Sequence, residues 1–253
     1  MTGRGVYGTN NEVKSELVNP RSGVLRFLGY SVAGGVVGAA WALWGKHRGA
    51  TSVHSWREFI VDRSHAGFPP GILISIALLC GFSLYWEAAA KNSAKNESRE
   101  SRWSRAIHLT LVSLGQILLL FPMPGLRARL LPDLTSMVLA GLLLEITFLG
   151  LAVWARMLLG RNWSAAVTTK VDHQLICSGP YRFVRHPIYS ALLGAYGSIA
   201  VVSGEVHAVV GFVLICVAYW RKIRLEEQVL GSLFGDAYIQ YRERVSAVIP
   251  GVF

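Results

Sequence analysis

Apolar stretches long enough to cross a bilayer, separated by short basic segments, limit what this chain can become. Residues 24–44 carry a single charge, Arg26, near their start. Further apolar runs occupy 68–90, 107–121 (a short one), 136–159 and 188–220. A helix needs about 20 apolar residues to cross a hydrocarbon core of ~30 Å. The last run is long enough for two short passes, and Ser203-Gly204-Glu205 interrupts it about halfway. That interruption predicts a tight helical hairpin. The expected fold is all-α: a polytopic membrane bundle of about six transmembrane helices, including the C-terminal hairpin. A cleaved leader is the rival reading of 24–44. The length of the run and the lack of a clear cleavage site favour a retained anchor. Composition agrees with a lipid environment. Charged residues make up 16% of the chain, below the quarter usual for soluble domains, and mean hydropathy is +0.40.

The basic residues give an independent test. Segments expected on one side of the membrane (the tail to Arg26, 91–105, 156–185 and 221–244) hold 19 of the 25 Lys and Arg, and the other side holds 6. Cytoplasmic loops carry such an excess. The split predicts both termini in the cytoplasm; the expected location, an inner membrane of the bacterial type, does not follow from the split. The split also puts 160–187 on the same face as the C-terminal segment. The net charge of +10 is spread between apolar runs, and no zinc-finger spacing or RNA-binding aromatic motif accompanies it, so nucleic acid is not an expected partner. Cys80, Cys177 and Cys216 are far apart, and the histidine spacing suits no metal helix, so no metal site is expected. Nothing in the chain bears on its oligomeric state.

Three regions follow: a polar tail at 1–22, an N-terminal transmembrane region at 23–135 with three spans, and a C-terminal region at 136–253 that holds the candidate chemistry. Glu145 falls inside the fourth apolar run. A charge there costs about 2.5–3.5 kcal/mol on insertion scales, so it must face protein, as a cavity residue or a packing contact, or carry a proton. Trp154, Arg156 and Trp163 flank this span and read as interface anchors. His108 begins a span and His207 follows the hairpin turn; neither has an assigned role.

The most informative stretch is 173–189, HQLICSGPYRFVRHPIY. Ser178-Gly179-Pro180 is a turn. Pro187 suits the first position of a helix, where its missing N–H costs nothing. Arg185 and His186 then stand just before a helix N-terminus, whose free backbone donors favour an anion such as a carboxylate. A second element is 221–227, RKIRLEE. Lys222 and Glu226 share one face of a helix, and Arg224 and Glu227 share another. Two adjacent acids there suit a cationic ligand, or else a solvated face with intrahelical ion pairs. Leu225, Val229, Leu230 and Leu233 recur at helical spacing, predicting an amphipathic cytoplasmic helix that ends or bends at Phe234-Gly235. Tyr238 and Tyr241 belong to a second short helix.

Arg185-His186-Pro187 with Tyr189, followed by Glu226-Glu227 and then Leu233-Phe234-Gly235, Tyr238 and Tyr241, resembles the isoprenylcysteine carboxyl methyltransferases and the related phospholipid N-methyltransferases, over roughly 154–250. The resemblance implies an integral membrane methyltransferase that uses S-adenosyl-L-methionine on a lipophilic small-molecule or lipid acceptor. The implied cofactor contacts are His173, Gln174, Leu175, Ile176, Tyr181, Arg185, His186, Pro187, Ile188, Tyr189 and Glu226. Glu226 is expected to meet the cofactor's ammonium, and His186 with nearby amides its carboxylate. On the catalytic side stand Lys222, Arg224 and Glu227. Lys222 holds a place where the eukaryotic enzymes have arginine, so a point charge replaces a bidentate fork. The acceptor is therefore left open: an isoprenylcysteine-like carboxylate or a phospholipid amine. A nicotinamide-dependent reductase on a similar scaffold and a non-catalytic membrane protein are the remaining alternatives.

Overall fold

The structure, a computed structural model, describes residues 69–90, 101–123, 125–160, 163 and 175–252. The expected span at 24–44 and the candidate residues His173 and Gln174 lie outside these. Among the described residues six α-helices follow in order: α1 (Pro70–Ala90), α2 (Arg102–Leu120), α3 (Thr135–Leu159), α4 (Pro187–Ser203), α5 (Val206–Phe234) and α6 (Asp236–Arg244). Among the described residues no strand forms, and the fold is an all-helical bundle with membrane-spanning helices. Helices α1, α2, α3 and α5 have the length and apolarity to cross a membrane, while α4 is a shorter apolar helix of 17 residues.

Local chemistry explains most boundaries. Pro70 opens α1, where its fixed φ costs nothing. Ser101 caps α2, its hydroxyl accepting from the Ser104 amide at 3.1 Å. Helix α2 thus starts in polar sequence, before the apolar run at 107–121 begins, and this lengthens that span. Gly204 ends α4 in the left-handed region at φ 66°, and the chain reverses into α5 within two residues. This is the hairpin expected at 203–205.

Helix α5 departs from expectation. The amphipathic segment expected to begin at Arg221 is not separate, because α5 runs unbroken to Phe234. Its 29 residues extend about 43 Å, beyond the ~30 Å of a hydrocarbon core. The fall in hydropathy at Arg221 marks where the helix leaves lipid, not where it ends. The acidic pair is therefore rigidly continuous with a membrane span.

The helices pack through small residues. Gly211 of α5 lies so close to α2 that a Cβ there would stand 2.5 Å from both the Gly115 carbonyl oxygen and the Leu119 amide nitrogen. Only glycine lets the two backbones meet this closely. Ile72, Leu119, Val138, Leu142, Tyr196, Ile199, Val202 and Ile215 fill the interior between α1 and α5. Glu145 is fully buried and accepts a 2.6 Å hydrogen bond from Ser75 Oγ, which ties α3 to α1. It faces protein, as the cost of a charge in lipid requires.

A second cluster joins Ala155, Trp163, Tyr181 and Ile188 to Trp86 of α1. Here a sequence expectation fails. Arg156 and Trp163 are buried, with the guanidinium 4.3 Å from the ring centroid and donating to the Ala89 and Gly160 carbonyls. They are packing residues, because the guanidinium finds helix-end carbonyls inside the bundle and has no need of lipid headgroups. Trp154 is exposed, as an interface anchor would be.

Candidate functional site

The two sequence elements meet where α4 begins and α5 leaves the bundle. Pro187 occupies the first turn of α4, and His186 precedes it at φ −122°. The C-terminal segment fixes this start. Residues 245–248 run beside the loop, with Arg185 N–H donating to the Ser246 carbonyl at 2.8 Å and His186 N–H to Ala247 at 3.0 Å. Ser190 Oγ donates to the Val248 carbonyl at 2.6 Å. His186 is thereby held at the helix entrance from both sides.

Glu226 and Glu227 reach this point from α5 and take different partners. Glu227 is gripped by Arg185, whose Nε and Nη2 lie 2.9 and 2.8 Å from the same carboxylate oxygen, Oε1. Both side chains are largely buried. The remaining Arg185 nitrogen, Nη1, donates to the main-chain carbonyls of Arg242, at 2.9 Å, and Val245. The whole guanidinium is committed within the protein. Glu226 accepts instead from the Tyr189 hydroxyl at 2.5 Å.

His186 lies between the two acids without a good bond to either. Its Nδ1 is 3.8 Å from Glu226 Oε2 and its Nε2 is 3.4 Å from Glu227 Oε1. Nε2 is buried and, among the described residues, has no partner of hydrogen-bonding geometry. The Tyr238 hydroxyl is a second buried orphan by the same criterion. Unsatisfied buried polar groups are rare because each costs about 1–3 kcal/mol. Two of them around one acidic pair is the arrangement a ligand with its own polar groups would complete.

Aromatic rings wall the same space. Tyr189 stacks on His186 with centroids 5.7 Å apart and planes 13° from parallel, and Tyr219 leans on Tyr189 at 5.2 Å. Lys222 Nζ sits 5.5 Å from the Tyr189 ring centroid. Tyr181 is buried below, its hydroxyl donating to the Ala155 carbonyl at 3.3 Å and its own carbonyl accepting from Tyr241. Burial pushes the Tyr181 and Tyr241 hydroxyls above their ordinary range, so both remain proton donors.

The expected contact residues therefore divide. His186, Pro187, Ile188, Tyr189, Tyr181, Lys222 and Glu226 gather around one region, and half-buried Leu175 and Ile176 lead into it, with Ile176 packed against the Ala155–Tyr181 cluster. Arg185 and Glu227 are there but occupied with each other. Arg224 is exposed, its guanidinium 5.3 Å from the Trp220 ring. Arg224 and Glu227 had been expected to share a helix face, but Glu227 takes Arg185 instead. Sequence reasoning missed Tyr219 and the 245–248 strap. Tyr219 stands seven residues before Glu226, two helical turns along one face, which is the signal that would have found it.

Residues 139–232 match the isoprenylcysteine carboxyl methyltransferase family. The matched residues include α4, most of α5 and both acids, while Tyr238, Tyr241 and the strap at 245–248 lie beyond the match. A protein-S-isoprenylcysteine O-methyltransferase of Schizosaccharomyces pombe is 34% identical over 94 residues, 36% of this chain and 40% of that protein. A methanethiol S-methyltransferase of Bradyrhizobium diazoefficiens is 43% identical over 72 residues, 28% of this chain and 24% of that protein. The chain thus spans half or less of the length of these relatives. The solved eukaryotic intramembrane Ras methyltransferase of the same family name aligns with 16% identity and a TM-score of 0.39, over 92% of this chain and 97% of that one.

Proposed function

We propose that this protein is an integral membrane methyltransferase that takes a methyl group from S-adenosyl-L-methionine and gives it to a lipophilic acceptor. The observation that carries this reading is the buried His186 Nε2 at the entrance of α4, 3.4 Å from Glu227 but without a hydrogen bond of good geometry to either acid. The donor set fits the cofactor. Glu226 is a carboxylate for an ammonium group. The first amides of α4 and His186 offer N–H donors to a carboxylate. Tyr181 and Tyr189 bring aromatic faces, and Leu175, Ile176 and Ile188 apolar ones. His173 and Gln174 extend the contact set by sequence position alone.

When bound, the cofactor supplies a methyl group already activated by a sulfonium. What the protein adds is alignment and exclusion of water. Arg185 and Glu227 serve this as a brace, holding the strap at 245–248 and the start of α4 against α5, with no direct part in binding. Lys222 is positioned beside Tyr189 to meet the acceptor. Arg224, beside exposed Trp220, lies outside the reacting space and suits the membrane interface. The site faces the cytoplasm with both termini, in keeping with the distribution of basic residues, and residues 136–253 form the methyltransferase unit on which the N-terminal spans are an addition. The names of the relatives, which act on isoprenylcysteine and methanethiol, favour a methyl acceptor with a small reactive end.

The test is competition in nanodiscs between S-adenosylhomocysteine and NADPH. The reading expects saturable binding of S-adenosylhomocysteine that NADPH does not displace. Binding of NADPH alone would replace the reading with a reductase, and binding of neither would leave a protein without this cofactor chemistry.

A further inference from the structure

The corner where α2 begins and α5 leaves lipid collects cations that the cofactor reading does not use. Two contacts fix the helices there in an antiparallel register. Arg221 Nη1 donates to the Ser104 carbonyl at 3.1 Å and Nη2 to Ser104 Oγ at 2.7 Å. One turn deeper in the bundle, His108 Nδ1 lies 3.2 Å from the Ala218 carbonyl oxygen. Arg102 and Arg105 bracket Ser104 on α2, and both are exposed. Arg224 stands three residues beyond Arg221 on α5, a neighbour on the helix surface, and is exposed as well. The register thus brings Arg102, Arg105, Arg221 and Arg224 to one level of the molecule. Lys222 turns elsewhere, its Nζ 5.5 Å from the Tyr189 ring centroid.

The two helices offer these cations no acid of their own. Helix α2 holds no acidic residue, and α5 holds none before Glu226. Glu226 and Glu227 are held by Tyr189 and Arg185. The preceding stretch 91–100 adds three bases and two acids, so it does not reverse the sign. Arg102 and Arg105 also occupy the first turn of a 19-residue helix, with no acid in that turn. The free amides of that turn make it positive, so two cations there repel the helix end as well as each other. An anion relieves both repulsions at once.

Depth decides which anion. Trp103 and Trp220 are exposed, and the register sets them at the same level. Exposed Ile107 and Val217 continue the surface toward the membrane interior. Tryptophan at the edge of an apolar surface marks the membrane–water interface. The Arg224 guanidinium lies 5.3 Å from the Trp220 ring centroid, which holds its charge at headgroup depth. A phosphate at that depth belongs to a lipid. A nucleic acid or an acidic protein segment would have to pass through the headgroup layer to reach it.

We propose that Arg102, Arg105, Arg221 and Arg224 form a binding site for the phosphate headgroup of an anionic phospholipid, which bridges α2 to α5 with Trp103 and Trp220 beside its acyl chains. This stands apart from the methyl-transfer reading. Planar guanidinium groups match phosphate oxygens in pairs. Arg221 adds charge while its Nη1 and Nη2 stay on Ser104, and the three exposed arginines supply the donors. A zwitterionic lipid carries its own ammonium into the cluster and is disfavoured. Clusters of basic residues beside a membrane span bind anionic headgroups on the same physical ground.

The experiment uses the full chain in detergent with equimolar phosphatidylglycerol and phosphatidylcholine of identical acyl chains, and counts retained lipid by native mass spectrometry. Two patch variants are compared with wild type: Arg102→Gln/Arg224→Gln and Arg105→Gln/Arg224→Gln. Arg242→Gln/Arg244→Gln is the control, removing the same charge from exposed positions of α6. Wild type is expected to hold phosphatidylglycerol in preference to phosphatidylcholine. An arginine near the lipid surface is worth about fivefold in affinity, so each patch pair should weaken phosphatidylglycerol binding about 30-fold. The control should change it less than about threefold. Glycerol 3-phosphate in large excess should not displace the lipid, because it lacks the chains that place a phosphate at this depth. Equal unfolding temperatures in lipid-free detergent show that the variants are folded. Equal retention of the two lipids by wild type overturns the proposal whatever the variants do. So does unchanged binding in both patch variants, or an equal loss in the control, which reduces the effect to net charge. Displacement by glycerol 3-phosphate also overturns it and makes the occupant a soluble phosphate.

Discussion

Both ends of the bundle hold a histidine beside glutamate, and the two pairs are built differently. At the α4–α5 turn, His207 Nδ1 lies 2.7 Å from the Leu118 carbonyl and Nε2 lies 3.1 Å from Glu205 Oε2. Arg127 adds a cation 3.8 Å from the same oxygen. The loop before α3 seals the cluster through Val206 N–H to Ala128 and His207 N–H to Leu126. At the other end, His186 stands 3.4 and 3.8 Å from its acids, and its buried Nε2 makes no hydrogen bond of good geometry with them. The same residue types thus form a closed structural clasp in one place and an incomplete constellation in the other. Satisfaction of hydrogen bonds, more than residue identity, separates scaffold from site.

That contrast yields graded expectations. The largest effect falls on the brace. Arg185→Ala leaves Glu227 buried without its cation and frees the strap at 245–248, costing about 3–5 kcal/mol of stability. A fall in thermal unfolding temperature in detergent checks this, and an unchanged temperature would remove Arg185 from the scaffold. Next is Glu226→Ala, which removes the carboxylate proposed for the cofactor's ammonium. A charge-assisted bond of about 1.5–3 kcal/mol corresponds to roughly a 10- to 150-fold weaker affinity for S-adenosylhomocysteine by calorimetry, with a smaller fall in unfolding temperature than Arg185→Ala, because the Tyr189 hydroxyl loses its acceptor. Gly211→Val forces two backbones apart and should cost about 1–3 kcal/mol in the same melting assay. His207→Ala breaks the closed clasp at about 1–2 kcal/mol of stability and leaves cofactor affinity alone. Arg224→Ala should be close to neutral in both assays, because its guanidinium sits exposed over Trp220.

The apolar runs made α1, α3 and the α4–α5 hairpin legible, because lipid imposes one length and one composition on every span. The meeting of His186 with Glu226 was legible from the motif and from the basic residues that put both segments on one face. Three things were not. The continuity of α5 past Arg221 was hidden because hydropathy reports the solvent and says little about where a helix stops. Arg156 and Trp163 looked like interface anchors because their contacts, Ala89 and Trp86, come from a distant helix. The pairing of Glu227 with Arg185 was missed because helical spacing offers Arg224 as a partner and says nothing of a loop 42 residues away.

The central claim is that the open histidine–glutamate pair binds a cofactor and the closed one does not. Titration of S-adenosylhomocysteine into nanodisc-embedded wild type, His186→Ala and His207→Ala tests it in one series. The account predicts wild-type binding that His186→Ala weakens about tenfold or more and His207→Ala leaves within about twofold, the former being the loss of one hydrogen-bonding group at about 1.4 kcal/mol. Equal affinities across the three proteins would contradict it.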